Sequence, residues 1–211
     1  ALHAKYPKLI YAAASGFGHS GPEMYRPAYD MVVQGMGGIM SVTGHPGTPP
    51  TRIGMSIGDI GSGLYATIGI QGALFHRQLT GEATKVDIGM FDCQVALLEN
   101  AVMRYFTSGT APGPLGARHP SIAPFEAFET QDGYIIISAG NDSLFAKMSE
   151  GLGKPEWATD PRYLTNDLRS QNVDAIKDEM ELVLRTNTTA HWITVMDKVG
   201  VPCGPINNVA Q

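Results

Sequence analysis

The stretch "GDIGSGLYATIGIQGALFHRQLTG", residues 58–81, constrains this chain more than any other. From Ile60 to Leu79 it is mostly apolar or small and contains no proline, and it ends on Arg77 and the stop signal Thr80-Gly81. That pattern predicts one long helix. Ala66, Gly69 and Ala73 fall at three- and four-residue spacing, giving the helix a face of small side chains where another element can approach closely.

Around it the periodicity changes several times. "KLIYAAAS" reads as a short buried strand after a helix end at Pro7, and "GFGHSGPEMYRP" as a glycine- and proline-rich loop. "YDMVVQGMGGIMSVTG" has helical spacing broken by Gly35, Gly37 and Gly38, which implies close backbone packing, since mid-helix glycine costs about 1 kcal/mol against alanine. "KVDIGM" predicts a strand and "FDCQVALLENAVMRYF" an amphipathic helix, followed by the loop "TSGTAPGPLGARHPSIAP". Then the character shifts. "FEAFETQDGYIIISAG" predicts a β-hairpin turning at Asp132-Gly133, and three helices follow, in "NDSLFAKMSEGLG", "RSQNVDAIKDEMELVLR" and "TAHWITVMDKVG". The expectation is an α/β chain with a boundary near Phe125: residues 1–124 form a helix-rich part with few strands, and residues 125–211 a smaller α+β part.

Length and composition narrow the function classes. At 211 residues, with 43% apolar and 17% charged residues, the chain is an ordinary globular sequence. It can hold one good core, or one domain and a piece of another. A net charge of −5 with scattered lysines and arginines argues against a nucleic-acid surface. No uninterrupted apolar run approaches the eighteen or so residues of a membrane span, and no signal-peptide pattern opens the chain. Cys93 and Cys203 read as buried thiols of a reducing compartment, hence the cytoplasm. No histidine pair stands at helical spacing and no cysteine cluster exists, so no metal is expected. The chain has no initiator Met and stops at "GPINNVAQ", as a piece of a longer protein would.

Three motifs compete in one short segment. Gly54-Met-Ser56-Ile-Gly58 fits the serine-hydrolase pattern G-x-S-x-G, but the preceding "GTPPTRIG" cannot be the central strand that a nucleophile elbow requires. Gly61-Ser-Gly63-Leu-Tyr-Ala66 fits a dinucleotide-binding turn. It lacks a proper strand before it, and Asp59 would repel a pyrophosphate at the helix N-terminus. Asp59 itself has two readings. It can be the helix N-cap, contributing about 1 kcal/mol, or a nucleophile, since Gly58, Gly61 and Gly63 leave room for a bulky partner to reach its carboxylate.

The sequence resembles the class III (family III) coenzyme A-transferases, the CaiB/BaiF type that includes formyl-CoA transferase, carnitine CoA-transferase and alpha-methylacyl-CoA racemase. "SGFGHSGPEMYRPAYDMVVQGMGGIMSVTG", "GDIGSGLYATIGIQGALFHRQLTGEATKVDIGMFD", "PFEAFETQDGYIIISAGN" and "VPCGPINN" carry the resemblance, in the family's order. It implies a chain about half the family's length, without the N-terminal Rossmann-like part and the C-terminal segment, from a homodimer whose subunits interlock. It implies coenzyme A thioesters and a small carboxylic acid as substrates, with Asp59 as the catalytic nucleophile. By the same resemblance Arg26, Tyr29, Asp30 and Met90 contact CoA, and the loop with Gly113 and Gly116 shields the intermediate. That loop is shorter and less glycine-rich than in the formyl-CoA enzymes, which weighs against oxalate. The racemase branch has histidine at the Tyr29 position, so tyrosine favours transfer over racemisation. "GARHPSIAPFEAF" is similar to branches that handle succinate or glutarate, with Arg118 able to grip a distal carboxylate and His119 beside it. The alternatives are an acyl-CoA racemase and a non-catalytic binding or assembly piece.

Overall fold

Residue spacing determines which faces can meet, and the elements follow it closely in the computed structural model, which describes residues 2–211. The chain divides into two units, one ending at Gly116 and one running Ala117–Gln211. The first contains α1 (Leu2–Lys5), β1 (Tyr11–Ser15), α2 (Asp30–Met36), α3 (Ile39–Val42), α4 (Ile57–Thr80), β2 (Lys85–Gly89), α5 (Met90–Ala96) and α6 (Asn100–Ser108). The second contains β3 (Phe125–Glu129), β4 (Tyr134–Ser138), α7 (Asp142–Gly151), a 3-10 turn at Pro155–Thr159, α8 (Asn166–Gln171), α9 (Val173–Leu184), α10 (Thr189–Val199) and β5 (Cys203–Pro205).

In the first unit β1 and β2 pair in parallel, Tyr11 opposite Lys85 through Ser15 opposite Gly89. The crossover between them contains α4, 24 residues long and hence about 36 Å. It ends where expected: Gly81 adopts φ 79° and its N–H donates to the Arg77 carbonyl. The small face works as a contact surface. A Cβ added to Gly69 would lie 2.6 Å from Val86 Cγ1, so only glycine allows α4 to lie this close to β2. Ala73 is buried on the same face. The expected buried strand is corrected here: β1 is largely exposed, Tyr11 included. The glycine-broken helix separates into α2 and α3 at Gly37-Gly38, with Gly38 at φ 87°.

The single helix expected over "FDCQVALLENAVMRYF" is two. It breaks at Leu97–Glu99, where Glu99 takes φ 50°. Leu97 packs against Gly61 of α4 and Leu98 against Gly38, two directions that consecutive residues of one continuous helix do not share.

In the second unit the hairpin forms as read. β3 and β4 are antiparallel, Phe125 opposite Ser138 and Glu129 opposite Tyr134, and the Thr130 N–H closes the turn on the Gly133 carbonyl at 2.9 Å. β5 adds to the free edge of β4; its three residues end in a proline and carry no strand signal. The second expected helix splits at Asn172 into α8 and α9. One cluster closes this unit, with Phe128, Ile135, Ile137, Phe145, Met148 and Met196 among its fully or almost fully buried members. Residues 117–124 lie with it instead of with the preceding helices. Arg118 pairs with Asp174, the Ala123 N–H donates to Asn166 Oδ1, and Arg169 Nε donates to the Ala123 carbonyl at 2.7 Å.

Candidate active site

Asp59 does not cap α4. The N-cap is Ser56, whose side chain makes no capping hydrogen bond, and Asp59 lies in the first turn. The cap comes across space instead: Asp30 Oδ1, on α2, accepts the Gly58 N–H at 2.9 Å. This approach needs glycine at 58, because a Cβ there would lie 2.7 Å from Val33 Cγ2 and 3.0 Å from Asp30 Oδ1. Asp30 is 8% exposed, and its Oδ2 accepts from Gln34 Nε2 at 2.8 Å. Gln34, fully buried, also accepts the Ile53 N–H at 2.9 Å and donates to the Met55 carbonyl at 3.4 Å. A buried amide thus satisfied at both ends costs little, and its loss would orphan several backbone groups.

The outcome is an exposed Asp59 carboxylate with no hydrogen bond or ion pair among the described residues. The two rival motifs fall with the same geometry. No strand precedes Ser56, and Gly61 to Ala66 lie inside α4 instead of at a turn after a strand.

The residues expected to touch CoA separate into two groups. Tyr29, just ahead of α2, is 85% exposed, whereas Asp30 is turned to internal use and offers no free carboxylate. Arg26 is exposed, pairs with Glu23 at 3.0 Å and sits 5.5 Å from the Phe17 ring centroid. Phe17 packs on Phe91, centroids 5.9 Å apart, directly after the half-buried Met90 that opens α5. Beyond the C-terminal ends of β1 and β2 lies a crevice of about 460 Å³, lined by Phe17, Gly18, Glu23, Gly89 and Phe91. Open parallel sheets take their ligands in this position. Asp87, on the same crevice, is pulled two ways: desolvation raises its pKa, but the His19 backbone N–H and the Lys85 ammonium outweigh that and hold it below the usual carboxylate range.

The loop residues are fixed within their own units. Gly113 is exposed. Gly116, at φ 65°, donates its N–H to the Gly44 carbonyl at 2.8 Å. In the second unit Arg118 Nη1 meets Asp174 Oδ1 at 2.9 Å. His119 stacks on Phe125 with centroids 5.0 Å apart, and its Nδ1 accepts the Ser121 N–H at 3.2 Å. Among the described residues no three His, Cys, Asp or Glu side chains assemble into a group that could hold a metal ion.

This arrangement can be set beside known proteins. The model of a family described as CoA-transferase family III matches residues 1–211. The chain belongs to CoA-transferase family III. Two similar relatives are an acetyl-CoA:oxalate CoA-transferase of Acetobacter aceti, 46% identical over 97% of this chain and 53% of the relative, and a succinate–glutarate CoA-transferase of Agrobacterium fabrum, 39% identical over 100% of this chain and 52% of the relative. A crystal structure of a CaiB/BaiF family protein from Brucella suis superposes with a TM-score of 0.84 at 44% identity, covering 99% of this chain and 55% of that one. The chain therefore spans about half the length of the family III relatives it matches. In this family III chain the residue that sequence reading missed is Gln34. Its only signal is the four-residue step from Asp30, which puts both on one helix face.

Proposed function

We propose that this chain is the part of a family III CoA-transferase that carries the nucleophile, and that Asp59 is that nucleophile. The observation that carries the reading is the unengaged, exposed Asp59 carboxylate in the first turn of α4, beside the Gly58 N–H that Asp30 caps. A carboxylate oxygen of Asp59 attacks the thioester carbonyl of an acyl-CoA; the C–S bond breaks, and CoA thiolate leaves a mixed anhydride. The thiolate then attacks the Asp59 acyl carbon, releasing the first acid and forming an aspartyl-CoA thioester. The incoming carboxylate attacks that thioester, and the expelled thiolate takes the new acyl group, restoring Asp59. Electrons and protons balance without water, which has to be kept out because it would hydrolyse the anhydride.

The crevice at the ends of β1 and β2, with Arg26 against its Phe17 and Glu23 and Met90 between its Gly89 and Phe91, is the proposed CoA side of the site, and Tyr29 is proposed as a further CoA contact. Gly113 and Gly116 are assigned to the loop that shields the intermediate. By the family resemblance Arg118, whose exposed pair with Asp174 is worth at most about 1 kcal/mol, and His119 are proposed as contacts for the acid. That favours a dicarboxylate such as succinate or glutarate. The relative named for oxalate removes the weight that the short loop placed against that acid. The exposed apolar residues of α4, Leu64, Ile68, Phe75 and Leu79, support an interlocked homodimer as the working form. No helix among the described residues is long and apolar enough to cross a membrane. The free thiols of Cys93 and Cys203 suit the reducing cytoplasm.

Mass spectrometry of the full-length protein, turned over with acyl-CoA in the presence of hydroxylamine, tests this. The expected result is a hydroxamate confined to Asp59 and absent from Asp59→Ala. Full turnover by Asp59→Ala would overturn it, and exchange of the α-proton with deuterium without CoA transfer would point to the racemase branch.

A further inference from the structure

Taking Asp59 as the nucleophile, we infer that Gln34, acting with Asp30, is a positioning residue that holds the backbone leading into Asp59 and so aims its carboxylate for attack. The argument starts from what the first turn of a helix demands. Its leading N–H groups lack intrahelical partners, and the nearest polar side chains compete to satisfy them. Here the local candidates are Ser56, at the N-cap, and Asp59, in the first turn. A carboxylate at the third helical position can reach back to the N-cap amide, as in a capping box. Either rotation would draw the Asp59 oxygens or their immediate neighbour into the backbone.

In the structure Asp59 makes no such bond, and the donor that a Ser56 cap would use is met from outside the segment. Asp30 takes the Gly58 N–H at 2.9 Å, and Gln34, one helical turn along α2, holds Asp30 Oδ2 at 2.8 Å. The same Gln34 amide grips the Ile53 N–H at 2.9 Å and the Met55 carbonyl at 3.4 Å. The six residues before Asp59 are thus held at 53, 55 and 58 by two side chains from one face of α2. Both side chains are buried, Gln34 fully and Asp30 at 8% exposed, so water does not readily replace either. Gln34 has no path to the substrate. Its effect on the reaction passes through the position of Asp59, and misplacement of a reacting group by about 1 Å costs on the order of 100-fold in rate.

The test uses the full-length enzyme and three variants, Gln34→Met, Asp30→Asn and Asp59→Ala, each first checked for a wild-type circular dichroism spectrum. Gln34→Met keeps the volume and removes all three hydrogen bonds. It is expected to lower kcat by roughly 10- to 100-fold, with KM for acyl-CoA unchanged within about twofold, because the lost interaction acts on the attacking group and not on binding. The rate of hydroxylamine labelling at Asp59 should fall in step. Asp30→Asn keeps an oxygen for the Gly58 N–H and should lose less. If Gln34→Met does not fold, Asp30→Asn is read by the same criteria. Wild-type kcat in a folded Gln34→Met, or a raised KM at unchanged kcat, overturns the inference. An inactive Asp59→Ala beside a normal Gln34→Met sinks the positioning role alone and leaves the nucleophile assignment standing, whereas full turnover by Asp59→Ala sinks both.

Discussion

The two units make opposite uses of their apolar residues. The second closes one core around Phe128, Ile137, Met148 and Met196, with buried Arg169 tying three strands of the chain together through Ala123, Tyr163 and Asp142. In the first, the buried apolar side chains among the described residues are Val33, Ile39, Ala73, Val86 and Cys93, while Leu64, Ile68, Phe75, Leu79 and Phe106 stand exposed. Its interior is held partly by the hydrogen bonds of buried Asp30, Gln34 and Ser62. The candidate chemistry sits in the unit whose surface is not closed. Polar bonds fix geometry at one point, and a hydrophobic core fixes a whole domain; both units have buried polar side chains, but only the second adds a closed apolar core.

That contrast can be broken by substitution. The largest effect belongs to Asp59→Ala, expected to lower turnover by at least about 10⁴-fold with no change in melting temperature, measured by steady-state assay and calorimetry on the full-length protein. A loss of stability instead would mean that the side chain is structural. Next is Phe128→Ala, expected to destabilise the second unit by about 3–5 kcal/mol in urea unfolding while hydroxylamine labelling of the folded fraction is unchanged. Gly69→Val drives a side chain into Val86 and should cost the first unit about 1–3 kcal/mol.

Phe75→Ser sharpens the comparison, because Phe75 is 64% exposed. It should change the stability of this 211-residue chain by less than about 0.5 kcal/mol, and that of the full-length assembly by more. Equal, small effects in both would show that α4 stays bare. The smallest effect is a pH dependence. The backbone N–H of Thr189, then its hydroxyl, holds the Asp132 pKa below its ordinary value. A depressed carboxylate contributes stability that is complete above its unfolded pKa, near 4, and is lost as pH falls through the lower folded value. Melting temperature should therefore drop on the acid side of pH 4, and Asp132→Asn should flatten that limb, melting slightly below the parent at pH 7 and converging with it in acid.

What sequence could supply was the local half of these relations. The long helix with its Gly81 stop, the Asp132-Gly133 turn and the glycine break after α2 each depend on residues within one or two turns, and each was readable. The exposure of β1, the break at Glu99, and β5 depend on neighbours far along the chain. The same is true of the site. Asp59 was legible as a candidate, but the cap of its helix was not, because the side chain that accepts the Gly58 N–H is Asp30, 28 positions away. Asp30 was read as a CoA contact from the family resemblance, and nothing local announced that its oxygens accept from Gly58 and Gln34.

The inward spacing of small residues on α4 also bears on how the protein can vary. At positions 58 and 69 even one added carbon meets a neighbour within 2.7 Å, whereas at Gly63 and Gly72 of the same helix it would meet nothing within 4 Å of this chain. A saturation library of this chain selected for folding should retain glycine at those two sites and admit wide diversity at the exposed positions. Survivors of such a selection would trace the concealed edge of the helix at three- and four-residue intervals.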